Sequence, residues 1–208
     1  RNLSETHKYY QQYPKNVWPK EVVEFDKVFS QMYSSLEMCS DIILEALTLP
    51  LELEKGFFKT MTQDGNSILR LLHYPPLPTD RDPRSIRAAA HEDINLITIL
   101  VSASASGLEL MDRDGKWLAV ESSPNALVVD SGDMLSRITN NVIPSTTHRV
   151  VNPPDATTSR YSMPFFMHPH PEAMLSCLPS CKGDGAKHED ILAEDFLQQR
   201  LREIGLAK

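Results

Sequence analysis

Apolar residues recur at helical spacing between about Glu21 and Leu49, where Phe25, Phe29, Met32, Leu36, Ile43 and Leu47 follow one another. The pattern predicts one long amphipathic helix with a face toward a core. Pro19 suits its start, and Pro50 disfavours helical backbone just before it. Residues 51–60 predict a further short helix, and the polar, aromatic residues 1–20 a loop. Beyond residue 66 the pattern shortens to that of strands. Ser67–Tyr74, Leu96–Val101, Gly107–Met111, Lys116–Val120, Ala126–Asp130, Thr147–Val151 and Arg160–Met167 each read as extended and are separated by turn-forming residues. Asp112–Gly115 reads as a hairpin turn. Gly132–Thr139 predicts a short turn of helix, and Asp190–Ile204 a charged C-terminal one. A long helix followed by at least seven short strands is the pattern of a mainly β, double-sheet architecture with flanking helices. A jelly roll is the expected form, although strand count alone also fits other sandwiches.

Composition narrows the function classes. The chain has 208 residues, enough for one domain with a sizeable core. Lys plus Arg number 21 against 28 for Asp plus Glu, a net charge of −7, which disfavours nucleic acid and anionic membrane as partners. It also favours a neutral or cationic substrate, unless a local pocket overrides the global charge. There is no apolar run of about 18 residues to span a bilayer, and no signal peptide opens the chain. Three cysteines, Cys39, Cys177 and Cys181, do not form a disulfide framework and point to the cytoplasm.

His91-Glu92-Asp93 is the first candidate for chemistry. In an extended segment, residues two apart share a face, so His91 and Asp93 point together while Glu92 points away. A third ligand is available in His148, which opens another predicted strand. Two imidazoles and a carboxylate leave positions open on a non-haem Fe(II). Arg160 and Ser162 share a face of a later strand, expected to neighbour that of His148, and an arginine fork with a hydroxyl suits a carboxylate. By spacing alone each of these also reads as a solvated surface pair. His168-Pro-His170 and Cys177-x-x-x-Cys181 are rival metal sites, the second lacking its other half.

Longer segments carry more information. RLLHYPP (70–76), RAAAHEDINLITIL (87–100), GLELMDRDGKWLAV (107–120), NALVVDSGDMLSRITNNVIPSTTHRVVNPP (125–154) and SRYSMPFFMHPHPEA (159–173) occur in this order. Over about residues 13–180 the chain resembles the isopenicillin N synthase-like family of Fe(II)/2-oxoglutarate-dependent oxygenases. The resemblance implies a distorted jelly roll, a cupin-like double-stranded β-helix. It implies His91, Asp93 and His148 as iron ligands, Arg160 and Ser162 as the grip on the distal carboxylate of 2-oxoglutarate, and Tyr74 close to that co-substrate. Phe166 matches a position that lines the substrate pocket, with core packing as its other reading. The implied activity uses Fe(II), 2-oxoglutarate and molecular oxygen to oxidise a C–H bond of a small molecule by hydroxylation, desaturation or ring closure, releasing succinate and carbon dioxide.

The chain departs from the family in Ile94-Asn95 after the triplet and in Leu72-His73 before Tyr74, which bears on the substrate pocket. Family members carry further residues before the long helix, so Arg1 is expected to be an internal starting point. The expected organisation is a single domain over 1–208, with helical support in 1–60, the catalytic jelly roll in 61–173 and a mobile C-terminal segment in 174–208. Two other functions fit the same residues: an oxidase of this fold that uses no 2-oxoglutarate, and a non-catalytic jelly-roll binding module. Oligomeric state is not readable from the sequence.

Overall fold

The predicted long helix forms over Phe25–Thr48 (α1). Its buried stripe is Leu36, Ser40, Leu44 and Thr48, spaced by four. The two hydroxyls tolerate burial because they donate to the helix's own carbonyls, Ser40 to Leu36 and Thr48 to Glu45. A short helix, Phe57–Thr62 (α2), folds back against α1. The structure is a computed structural model that describes residues 4–206 except 14, 79, 83, 102, 122, 124 and 153–157.

Nine strands follow α2 before the chain leaves the main sheets: β1 Ile68–Leu69, β2 Leu72–Tyr74, β3 Ala88–His91, β4 Ile97–Val101, β5 Leu108–Met111, β6 Trp117–Ala119, β7 Leu127–Ser131, β8 His148–Val150 and β9 Arg160–Met167. Helix α3, Asp133–Ile138, lies between β7 and β8. The strands β1, β9, β4 and β7 form one antiparallel sheet in that order, with β2 also paired to β9; β3, β8, β5 and β6 form the other. Side chains from both sheets line one cavity between them, which is the jelly roll expected from the sequence. The hairpin between β5 and β6 turns as predicted: Asp112 Oδ1 accepts the amides of Asp114 and Lys116, and Gly115 takes φ 77°.

The predicted strand Ser67–Tyr74 is divided into β1 and β2, although both pair with β9 in one register. Pro164 stands opposite the break. The Arg70 amide donates to its carbonyl at 3.0 Å, but proline has no amide to return the bond. In an antiparallel ladder both backbone groups of a residue point to the same side. The loss therefore falls on β1 and β2, and the pairing of β9 with β4 continues past Pro164.

Strand β9 also separates the core from the cavity. Arg160, Ser162, Pro164 and Phe166 face the cavity, whereas Phe165 is fully buried and meets Tyr33 of α1 edge-to-face at 5.1 Å. Two expectations are corrected. First, β8 and β9 are not neighbours but lie in opposite sheets, a pairing that proximity in the sequence does not determine. Second, the C-terminal segment expected to be mobile is packed into the fold. Its strands Met174–Leu175 (β10) and Ile191–Leu192 (β11) pair, and Leu175, Leu178 and Phe196 are buried. Its helix Ala193–Glu203 (α4) is tied to α3 by Arg200 Nε, which donates to Asp133 at 3.0 Å. Among the described residues no helix is long and apolar enough to cross a membrane.

The alternation along β9 predicts opposite outcomes at adjacent residues. Phe165→Ala should cost about 3–5 kcal/mol in denaturant unfolding. Phe166→Ala, which removes a partly buried cavity wall, should cost less than about half of that. Equal losses would contradict the assigned faces.

Candidate active site

His91 ends β3 and His148 begins β8, and the two are directly paired across the strands. Opposed residues share a face, so the rings meet with centroids 4.3 Å apart. Asp93 follows just past the end of β3. Its Oδ1 lies 4.0 Å from Nε2 of His91 and 4.0 Å from Nε2 of His148. On the opposite edge of each ring, Nδ1 lies within hydrogen-bond reach of a backbone carbonyl: Ala89 at 2.7 Å for His91 and Thr146 at 3.0 Å for His148. A carbonyl only accepts, so this pattern assigns the proton to Nδ1 and turns both Nε2 lone pairs toward Asp93.

The carboxylate is fixed as firmly. Asp93 is only 8% exposed. Its Oδ2 accepts from Thr98 Oγ1 at 2.5 Å, and Thr98 in turn accepts from Asn95 Nδ2 at 2.8 Å. Oδ1 is left to face the imidazoles. The loop carrying Asp93 is clamped by the start of α3, whose amides would otherwise be unsatisfied. Gly132 donates to Leu96, Asp133 to Asp93 and Met134 to Asn95, at 2.7–3.0 Å. A Cβ at Gly132 would sit 2.3 Å from Asn95 Oδ1 and 2.4 Å from its carbonyl oxygen, so only glycine permits the approach. Glu92 accepts from Thr147 Oγ1 at 2.8 Å, joining the segments that carry the two histidines.

The cavity has a volume of about 610 Å³. Arg160 lies in its wall, 1% exposed, with its guanidinium 5.3 Å from the Tyr74 ring centroid. Its Nε donates to Ala105, but its buried Nη1 has no partner among the described residues. Burial pulls its pKa down, the sign of a cation short of a counter-charge. Tyr74 pairs with Arg160 and Leu72 with Ser162 across β2 and β9, so the three side chains expected at the co-substrate share one end of the cavity. Phe166 lines the cavity and does not belong to the core. Asp130, opposite Thr98 on β7, is pushed up to about 8 by burial and then by the charge of Asp93. Burial pushes His168, also in the wall, down to about 4.

The rival metal sites do not assemble. His168 faces the cavity, whereas His170 turns to Tyr9, with Nδ1 3.3 Å from the hydroxyl. Cys177 and Cys181 are free thiols. Among the described residues, one group of three ligand side chains converges, His91, Asp93 and His148, with donor atoms within 4.8 Å of one another. Sequence reasoning missed the supports Asn95, Thr98 and Gly132, and read Asn95 as bearing on the substrate pocket. It lies beneath the metal-facing carboxylate instead. The available signal was two polar residues inside the apolar run INLITIL, since buried polar groups need partners.

Two imidazoles and a carboxylate at the mouth of a jelly roll, facing a cavity with a buried arginine, match the donor set of a mononuclear facial-triad metal site beside an anion pocket. Comparison with known proteins agrees. The family model of the 2OG-Fe(II) oxygenase superfamily matches residues 65–169. A crystal structure of a 2OG-Fe(II) oxygenase family protein from Caulobacter crescentus is 48% identical with a TM-score of 0.90, covering 98% of this chain and 67% of that one. A full-length Neurospora crassa protein, solved with alpha-KG and thymine, is 30% identical with a TM-score of 0.83, covering 90% of this chain and 60% of that one. The 2-oxoglutarate-Fe(II) type oxidoreductase hxnY of Emericella nidulans is 35% identical over 190 residues, 88% of this chain and 54% of that protein. The chain belongs to the 2OG-Fe(II) oxygenase superfamily. It spans about half the length of the curated relatives it matches.

Two predictions follow from the geometry. Thr98→Val keeps the side-chain shape but frees Asp93 Oδ2, and should weaken Fe(II) binding about 10- to 100-fold by calorimetry with the circular dichroism spectrum unchanged; undiminished affinity would contradict the support role. The second concerns Asp130 in metal-free protein. Between its ordinary 3.8 and about 8, the folded state holds a proton that the unfolded chain releases, so stability falls as pH rises through that window. Asp130→Asn should therefore melt about 3 °C or more above the unsubstituted protein at pH 8, with the gap closing toward pH 4. Parallel melting curves would exclude the buried carboxyl as the cause.

Proposed function

We propose that the chain is the catalytic core of an Fe(II)- and 2-oxoglutarate-dependent oxygenase that oxidises a C–H bond of a small molecule and releases succinate and carbon dioxide. The observation that carries this reading is the presence, in one cavity, of the converging His91, Asp93 and His148 and of a buried Arg160 whose Nη1 has no partner among the described residues. The donor set fits Fe(II): nitrogen and carboxylate ligands of borderline softness, with no thiolate. The guanidinium, whose Nη1 has no partner among the described residues, fits the distal carboxylate of 2-oxoglutarate. With 2-oxoglutarate and oxygen, iron supplies the oxidising power for a C–H bond.

In this reading His91, Asp93 and His148 hold the metal, with Thr98 and the two backbone carbonyls keeping their donor atoms aimed. Arg160 and Ser162 hold the co-substrate carboxylate. Tyr74 covers Arg160 on one side, keeping water from competing for it. Phe166, Leu100 and α4 face the remaining volume and orient the substrate. The jelly roll over 61–173 carries the chemistry, 1–60 supports it and 174–208 covers the mouth. The substrate is small, because the cavity must also admit 2-oxoglutarate; the thymine bound to the Neurospora crassa relative is of that size. Three free thiols suit the reducing cytoplasm.

The test is anaerobic. A visible charge-transfer band should appear only when both Fe(II) and 2-oxoglutarate are added, and should vanish in His148→Ala. Arg160→Ala should keep iron but require about 10- to 100-fold more 2-oxoglutarate, the loss of a charge-assisted pair. An unchanged requirement in Arg160→Ala, or no band with iron bound, would refute the co-substrate assignment.

A further inference from the structure

The inward face of β1 and β2 presents Ile68, Arg70, Leu72 and Tyr74 opposite Phe166, Pro164, Ser162 and Arg160. The wall of the cavity therefore carries two cations. Arg160, at one end, has a role under the reading above. Arg70 has none. Its guanidinium does not lean toward the Arg160 end; it lies 5.1 Å from the ring centroid of Phe166.

No carboxylate pairs with Arg70 among the described residues, and the acidic side chains of the cavity are engaged elsewhere. Asp93 faces the histidines and Thr98. Glu92 accepts from Thr147, and Glu194 on α4 accepts from Gln198 Nε2 at 2.9 Å. Asp130, on β7, stands opposite Thr98 and is hydrogen-bonded to it. His168 stays neutral, and Arg70 itself helps to suppress its charge.

In a loaded site the charges at the metal and at Arg160 balance among themselves, and the carboxylates of Glu92 and Glu194 are held by Thr147 and Gln198. Two positive charges on the metal and one on Arg160 are offset by Asp93 and by the two carboxylates of 2-oxoglutarate. Arg70 is left over. Solvent at the cavity mouth screens it in the free protein, where Arg70 is exposed, but a substrate that displaces that water must supply the counter-charge or leave a cation desolvated. An exposed cation at the rim also draws anions in, against the net charge of the chain.

We propose that Arg70 and Phe166 form the substrate subsite, and that the substrate is a small organic acid whose carboxylate pairs with Arg70 while its apolar body lies on Phe166. This rests on the 2-oxoglutarate reading, which reserves Arg160 for the co-substrate. An arginine fork can take a carboxylate bidentately, and Phe166, Ile68, Ile94 and Leu100 supply the apolar surface beside it.

Matched probes test this: benzoate against benzamide, and cyclohexanecarboxylate against its amide. Each is titrated calorimetrically into the full chain loaded with Fe(II) and 2-oxoglutarate without oxygen. The charge-transfer band, recorded before any probe is added, reports on the co-substrate reading alone. The acids should bind about tenfold or more tightly than their amides. Arg70→Gln should abolish that preference while the band titrates at an unchanged 2-oxoglutarate concentration. Arg70→Lys should retain part of it, showing that the charge acts and the fold is intact. Equal binding of acid and amide, no binding of either acid, or a preference that survives Arg70→Gln and disappears only in Arg160→Gln would overturn the proposal.

Discussion

A carboxylate on a loop has two equivalent oxygens and a freely turning bond, and neither property suits a ligand that must meet two imidazoles at a fixed point. The hydroxyl of Thr98 removes both freedoms by binding Asp93 Oδ2. Much of the local architecture serves that bond. Thr98 sits on β4, the strand held between β9 and β7, and so lies on the most fully paired part of the sheet. Asn95 holds the hydroxyl from below, and the amides of α3 hold the loop that carries both Asn95 and Asp93. The close approach of that helix depends in turn on the missing side chain of Gly132.

The histidines solve the same problem with backbone. Each is tethered at Nδ1 by a carbonyl two residues earlier in the chain, and their direct pairing between β3 and β8 sets their spacing. The triad thus spans the two sheets: its imidazoles belong to one, while its carboxylate is anchored by the other. Deformation of either sheet changes the geometry of these donor atoms, which under the proposed function links the stability of the fold to metal affinity. Helix α1, remote from the chemistry, contributes by packing Tyr33 on Phe165, the outward neighbour of the cavity residues on β9.

Much of this was legible in the sequence because the relevant signals are local. The periodicity located α1, and β-branched and aromatic runs located most strands, with β9 placed residue for residue. The three side chains that converge, His91, Asp93 and His148, were legible by type and order. What spacing could not convey was which strand lies beside which. The separation of β8 and β9 into opposite sheets is a topological fact, and the pairing of His91 with His148 a register. Strand β3, rich in alanine, lacks the residues that mark strands and is recruited by its partner. The C-terminal segment looked mobile because its few apolar residues are scattered. In three dimensions Leu175, Leu178 and Phe196 converge on one core, and Arg200 completes the attachment.

The central claim is that the two imidazoles and Asp93 bind one metal ion together. X-ray absorption at the iron edge of the anaerobic Fe(II) protein examines this directly. The account predicts one iron per chain with scattering from two imidazoles, falling to one imidazole when His148 is replaced by alanine. An iron environment without imidazole scattering, or one that the replacement leaves unchanged, would contradict it.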